Sequence, residues 1–175
     1  NILDGIYGIG ELSKSILDRI STFGELLSSY IFYEFSKFKK LNSEYIDSRN
    51  IIYTKKSKGN SIIIDFERTK KNLVNSLNKK EFEFHVMPGF IASSHDNKTI
   101  TLGRGGSDFT ASIIANILEA NKLDIWTDVS GMFTANPKIV KQAIPISELS
   151  YEEAMELSYF GAKVIYPPTI QPLIE

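Results

Sequence analysis

Apolar residues recur three or four positions apart at Ile6, Ile9, Leu12, Ile16, Leu17 and Ile20, which predicts an amphipathic helix over the first twenty residues. Thr22-x-x-Glu25 fits a capping box, so a second helix is predicted to restart there and run through Leu26, Leu27, Tyr30, Ile31, Tyr33, Glu34 and Phe35. Lys37, Lys39 and Lys40 close it, where positive charge suits the helix dipole. Short strands are expected at Glu44-Tyr45-Ile46-Asp47, at Ile51-Ile52-Tyr53 and within residues 61–66. Residues 67–77 read as a helix with Leu73, Val74 and Leu77 inward. Residues 82–87 alternate and continue through Pro88-Gly89-Phe90-Ile91-Ala92 as a buried strand leading to a turn. A strand ends near Leu102, and Ile113, Ile114, Ile117 and Leu118 mark the apolar face of the helix that follows. Residues 122–129 are expected to be a buried strand with Thr127 and Asp128 at its carboxyl end. A second capping box, Ser150-x-x-Glu153, opens a helix that ends at Gly161.

Strands alternating with helices predict an α/β fold with a mostly parallel sheet covered on both faces. No repeat or internal domain boundary interrupts the pattern. The 175 residues are 42% hydrophobic and 23% charged, the balance of a globular protein. A net charge of −1 gives no electrostatic case for nucleic acid or an anionic membrane. The lysine clusters lie beside acids and read as solvated faces. The chain has no cysteine, so disulfides, thiolate metal sites and cysteine nucleophiles are excluded, and a cytoplasmic setting is compatible. Its two histidines, His85 and His95, sit in no ligand-spaced cluster, so no protein-built metal site is expected. Both ends of the chain look cut.

The chemistry concentrates in Thr101-Leu102-Gly103-Arg104-Gly105-Gly106-Ser107-Asp108. A glycine turn between strand and helix points backbone N–H groups outward beside the positive end of the dipole, which makes an anion site. Arg104 adds a planar fork suited to carboxylate or phosphate. The competing reading is a structural turn in which Ser107 caps the helix, Asp108 favours its dipole and Arg104 is solvated. The spacing fits neither a P-loop nor a dinucleotide fingerprint. Glu25 has two readings as well: the cap of its helix, which the residues alone favour, or a carboxylate receiving a substrate ammonium. Thr127 and Asp128 either hydrogen-bond a nucleotide or cap the Gly131 turn.

Three motifs in order resemble the aspartokinase catalytic domain: Thr-Leu-Gly-Arg-Gly-Gly-Ser-Asp-Phe, then Ile-Trp-Thr-Asp-Val-x-Gly-Met-Phe-Thr-Ala-Asn-Pro-Lys, then Glu-Leu-Ser-Tyr-Glu-Glu-Ala-Met-Glu-Leu-Ser-Tyr-Phe-Gly-Ala-Lys-Val-Ile. Upstream, Phe23-Gly24-Glu25-Leu26 resembles a helix start of that family. The resemblance implies an amino-acid-kinase fold, an αβα sandwich with a mostly parallel central sheet. It implies transfer of the γ-phosphoryl of ATP, with Mg²⁺ carried by ATP, to the β-carboxylate of L-aspartate. Arg104 would clamp aspartate with the backbone of Gly105, Gly106 and Ser107; Glu25 would hold the amine, Phe90 would border the pocket and Asp108 would organise catalysis. Thr127, Asp128, Phe133, Lys138, Lys163 and Val164 match positions that surround ATP. Likeness also suggests a homodimer, and a parent fused to homoserine dehydrogenase.

Residues 1–175 are expected to be the middle and C-terminal part of that catalytic domain only. The family's Lys-x-Gly-Gly loop and C-terminal regulatory region have no counterpart here, so the chain alone is expected not to turn over. Phe133 stands where a tyrosine is usual, Lys138 where an arginine is, Asn136 where an aspartate is, and Tyr166 where a histidine is frequent. The alternatives are another amino-acid kinase, acting on glutamate or a nucleoside monophosphate, and a non-catalytic sensing module.

Overall fold

The structure is a computed structural model in which residues 2–57, 61–78, 82–161 and 164–174 are described. The chain divides into two compact units, Asn1–Gly103 and Arg104–Glu175.

The first unit opens with α1 (Ile2–Ile9) and α2 (Lys14–Phe38). The predicted restart at Thr22 does not occur, because residues 14–21 contain no breaker and α2 runs through them unbroken. Ser13 is the cap, its hydroxyl accepting from the Ile16 N–H, whereas the Thr22 hydroxyl donates back to the Arg19 carbonyl at 2.7 Å inside the helix. Strand β1 (Ser43–Tyr45) pairs parallel with β2 (Phe84–Val86). Strands β3 (Ile91–Ser93) and β4 (Thr99–Thr101) form an antiparallel hairpin. Tyr53 bridges Ser93 in parallel and Thr54 bridges Ile64 in antiparallel sense, so the expected strands at 51–53 and 61–66 are single bridges.

Helix α3 (Phe66–Leu77) is capped by the Asp65 carboxylate, which accepts from the Arg68 N–H. Its Leu73 is buried, but Val74, expected inward, is 38% exposed. Ile51, Ile52, Ile64, Leu73, Val86, Ile91 and Leu102 make the core of this unit. Helix α2 lies against β1, β2 and β4. The Thr101 hydroxyl donates to Asp18 Oδ1 at 2.8 Å, which pins the helix to the strand that leads into the glycine turn.

In the second unit α4 (Gly106–Ile117) packs on α6 (Gln171–Ile174) and on a 3₁₀ turn, Pro167–Thr169. Ile113, Ile117, Met132 and Ile170 are buried there, whereas Leu118, expected inward, is 44% exposed. Residues 132–134 run antiparallel to 144–146, with the Thr134 N–H donating to Ile144 (3.0 Å) and the Ile146 N–H to Met132 (2.8 Å). Helix α5 (Tyr151–Tyr159) has its predicted capping box in full: Ser150 N–H to Glu153 Oε2 at 2.8 Å, and Glu153 N–H to Ser150 Oγ at 3.2 Å.

The strand predicted over residues 122–129 is absent: the segment is irregular, and Trp126 is 94% exposed. An apolar run becomes a strand only where a neighbour offers its N–H and C=O groups. No described segment pairs with this one.

Candidate functional site

The glycine turn uses positive φ twice: Gly103 has φ +78° and Gly105 φ +66°. Gly105 serves as the N-cap of α4 in the left-handed region, with no side-chain cap. Gly105 and not Ser107 is the cap, so that part of the structural-turn reading is corrected, whereas Asp108 in the first turn and the exposed Arg104 agree with it. The N–H groups of Gly106, Ser107 and Asp108 therefore head the helix without side-chain acceptors, beside the positive end of its dipole. A β-carbon on Gly105 would lie 2.7 Å from Tyr166 Cβ and 3.3 Å from Thr169 Oγ1, so only glycine fits.

Arg104 is exposed and has no ion pair among the described residues. Asp108 sits half-buried in the first turn, and burial pushes its carboxyl above the ordinary value. A partly desolvated carboxylate one turn from an arginine and a row of amides is arranged to meet a bound cationic group.

In the first unit Glu25 lies in the middle of α2, not at a helix entrance, because α2 begins eleven residues earlier at Lys14. Its cap reading is thereby corrected. Instead, Glu25 Oε1 accepts from the Gly89 N–H at 2.9 Å. Glu25 also lines a hollow of about 430 Å³ with Ser28, Ser29, Phe84, His85 and Met87. Phe90 follows directly, half-buried, with φ +66°.

The remaining expected positions are scattered along the second unit. Thr127 and Asp128 are exposed and bond only each other, Thr127 Oγ1 to Asp128 Oδ1 at 3.2 Å; they cap no strand end, since no strand forms. Phe133 is half-buried and bridges Pro145. Lys138 is exposed, its N–H donating to Asn136 Oδ1 at 3.0 Å. Val164 is half-buried, and Lys163 lies outside the described residues. Among the described residues no group of three metal-ligating side chains converges.

Sequence reasoning missed Gly89 and Asp18. The Pro88-Gly89 dipeptide signals a turn, but nothing local signals that Glu25 closes it.

The profile of the amino acid kinase family matches residues 4–175. The chain belongs to the amino acid kinase family. It is 39% identical, over all of its own length, to a bifunctional aspartokinase/homoserine dehydrogenase of Buchnera aphidicola, of which it covers 21%. It is 36% identical over 93% of its length to the lysine-sensitive aspartokinase 3 of Escherichia coli, covering 36% of that protein. Among solved structures, E. coli aspartokinase III in complex with aspartate and ADP superposes with a TM-score of 0.85 at 33% identity, over 99% of this chain and 40% of that one. The aspartate kinase of Clostridium acetobutylicum gives 0.74 at 32% identity, over 99% of this chain and 38% of that one.

This amino acid kinase chain thus has the amino-acid-kinase fold as a partial domain, and spans between a fifth and two-fifths of these relatives. Its expected placement in the middle and C-terminal part is corrected: the match falls in the relatives' N-terminal, catalytic part.

Proposed function

We propose that the chain is the catalytic portion of an aspartate kinase, which transfers the γ-phosphoryl of ATP to the β-carboxylate of L-aspartate. The observation that carries this is the start of α4, where amides without a side-chain cap, a glycine held at φ +66° and an Arg104 with no ion pair among the described residues stand together. In this reading Arg104 and the backbone of Gly105, Gly106 and Ser107 grip aspartate, Glu25 takes its ammonium and Phe90 borders it. Asp108 organises the cationic groups around the phosphoryl. Thr127, Asp128, Phe133, Lys138, Lys163 and Val164 hold the nucleotide.

A carboxylate acceptor is ionised at neutral pH and needs no strong base, so rate comes from alignment and charge neutralisation. Mg²⁺ carried by ATP would neutralise the charge of the triphosphate. The 175 residues contain no Lys-x-Gly-Gly loop, so the isolated chain is expected not to turn over. We further read the protein as a homodimer in a reducing, cytoplasm-like compartment. No helix among the described residues is long and apolar enough to cross a membrane.

Hydroxylamine trapping of the acyl phosphate, with aspartate and glutamate in parallel on the full-length protein, tests the reading. Aspartate-dependent hydroxamate with MgATP is expected, and little with glutamate. Arg104→Lys should raise the aspartate KM about tenfold or more, since the bidentate fork is lost. Equal turnover of both acids, or an unchanged KM, would overturn the assignment.

A further inference from the structure

Among the described residues Phe90 is one of four non-glycine residues at positive φ, and of these it lies next to Gly89, whose N–H bonds Glu25, the carboxylate expected to bind substrate. The Ile91 N–H donates to the Gly89 carbonyl at 2.7 Å, closing a three-residue turn with Phe90 at φ +66° in its centre. A γ-turn of that hand is rare and strained, and it persists only where its surroundings hold it. Two further bonds do so. The Leu102 N–H donates to the Phe90 carbonyl at 2.7 Å, from the segment that follows β4. The Gly89 N–H donates to Glu25 Oε1 at 2.9 Å, from the middle of α2. No described residue donates to Glu25 Oε2, and Glu25 lines the adjoining hollow.

We propose that Glu25 is the clamp of this strained turn, and that its carboxylate couples the turn to substrate. One oxygen holds the Gly89 N–H while the other receives the substrate ammonium. The second half rests on the functional reading above; the first does not. A carboxylate shared in this way transmits occupancy to the backbone. An ammonium on Oε2 fixes the rotamer that keeps Oε1 on Gly89, so a bound amino acid rigidifies Phe90. A ligand lacking the amine leaves the turn as it is in the free protein.

The test combines amide hydrogen exchange over residues 87–93 with steady-state kinetics on the full-length protein. Glu25→Gln keeps a neutral acceptor for Gly89 but loses the charge, whereas Glu25→Ala loses both. Exchange at Gly89 and Ile91 is expected to quicken about tenfold in Glu25→Ala and to stay within about threefold of wild type in Glu25→Gln. The aspartate KM should rise in both variants, with kcat less affected in Glu25→Gln. Aspartate should slow exchange in the wild type only.

Because glycine adopts positive φ freely, Phe90→Gly added to Glu25→Ala should restore most of any lost stability. Wild-type exchange in Glu25→Ala, or no rescue by Phe90→Gly, refutes the clamp. Aspartate protection of the turn in Glu25→Gln refutes the coupling. If the wild type transfers no phosphoryl to aspartate, the functional reading fails, and exchange in Glu25→Ala still decides the clamp.

Discussion

Gly103 and Gly105 differ in one respect that separates two costs of adding a methyl group. Both have positive φ, +78° and +66°, so alanine at either meets the left-handed penalty of about 1–2 kcal/mol. At Gly103 the added carbon has nothing within 4 Å, while at Gly105 it meets Tyr166 Cβ at 2.7 Å. Overpacking of that kind costs roughly 1–3 kcal/mol more, because Tyr166 Cβ is tied to its backbone and cannot swing away. Gly105→Ala is therefore expected to lose about twice the stability of Gly103→Ala, read from urea midpoints at constant slope. Equal losses would mean that the segment around Tyr166 yields, and that the turn is less tightly backed than the distance implies.

Helix α2 runs for 25 residues as one element, and Gly24 sits in its interior with open space where a β-carbon would go. Gly24→Ala should stabilise the first unit by about 0.5–1 kcal/mol, measured by denaturant unfolding. Had the helix restarted at Thr22, the glycine would fall at the flexible first turn and the gain would shrink. Ser150→Ala should cost about 1 kcal/mol and speed amide exchange in the first turn of α5, since the box bonds are both made. The two Ser/Thr-x-x-Glu patterns explain what the sequence could and could not disclose. The pattern at Ser150 follows a stretch without helical periodicity, so a helix must begin there. At Thr22 the preceding residues are themselves good helix formers, and the same spacing arises inside a continuous helix. The glycine turn was legible because its demand for positive φ is local. The bond from Glu25 to Gly89 spans 64 residues and leaves no local mark. Residues 122–129 carry a strand's composition, yet strandedness depends on a neighbouring edge, which composition does not encode.

Across the whole molecule the shifted carboxylates point in opposite directions in the two units. In the first, burial pushes the Asp47 carboxyl up, but bonds from the Arg49 guanidinium and backbone N–H outweigh it and hold the group below its ordinary value of 3.8. Asp96, bonded by the Lys98 ammonium and the Ser94 hydroxyl, is lowered to about 2. Both are carboxylates with depressed values, so their contribution is present above pH 3.8 and is lost as pH falls toward their folded values. In the second unit Asp108 is raised by burial, so its contribution is greatest below 3.8 and is lost as pH climbs through its raised value. As pH falls from about 4 toward 2 the first unit should therefore lose stability, whereas the contribution of Asp108 is gained above that range and holds constant within it. Hydrogen exchange, corrected for intrinsic rates, should show β3 and the 3₁₀ turn at Ser48–Asn50 losing protection on acidification before α4 does. Asp47→Asn should flatten the acid limb of the first unit. Asp108→Asn should raise Tm at pH 7 by about a degree, a small effect because the group is only partly buried, and leave Tm at pH 3 nearly unchanged. Earlier loss of protection in α4 than in β3, or a lower Tm for Asp108→Asn at pH 7, would show that Asp108 is held by a favourable partner and is not the desolvated carboxylate that the phosphoryl-transfer reading requires.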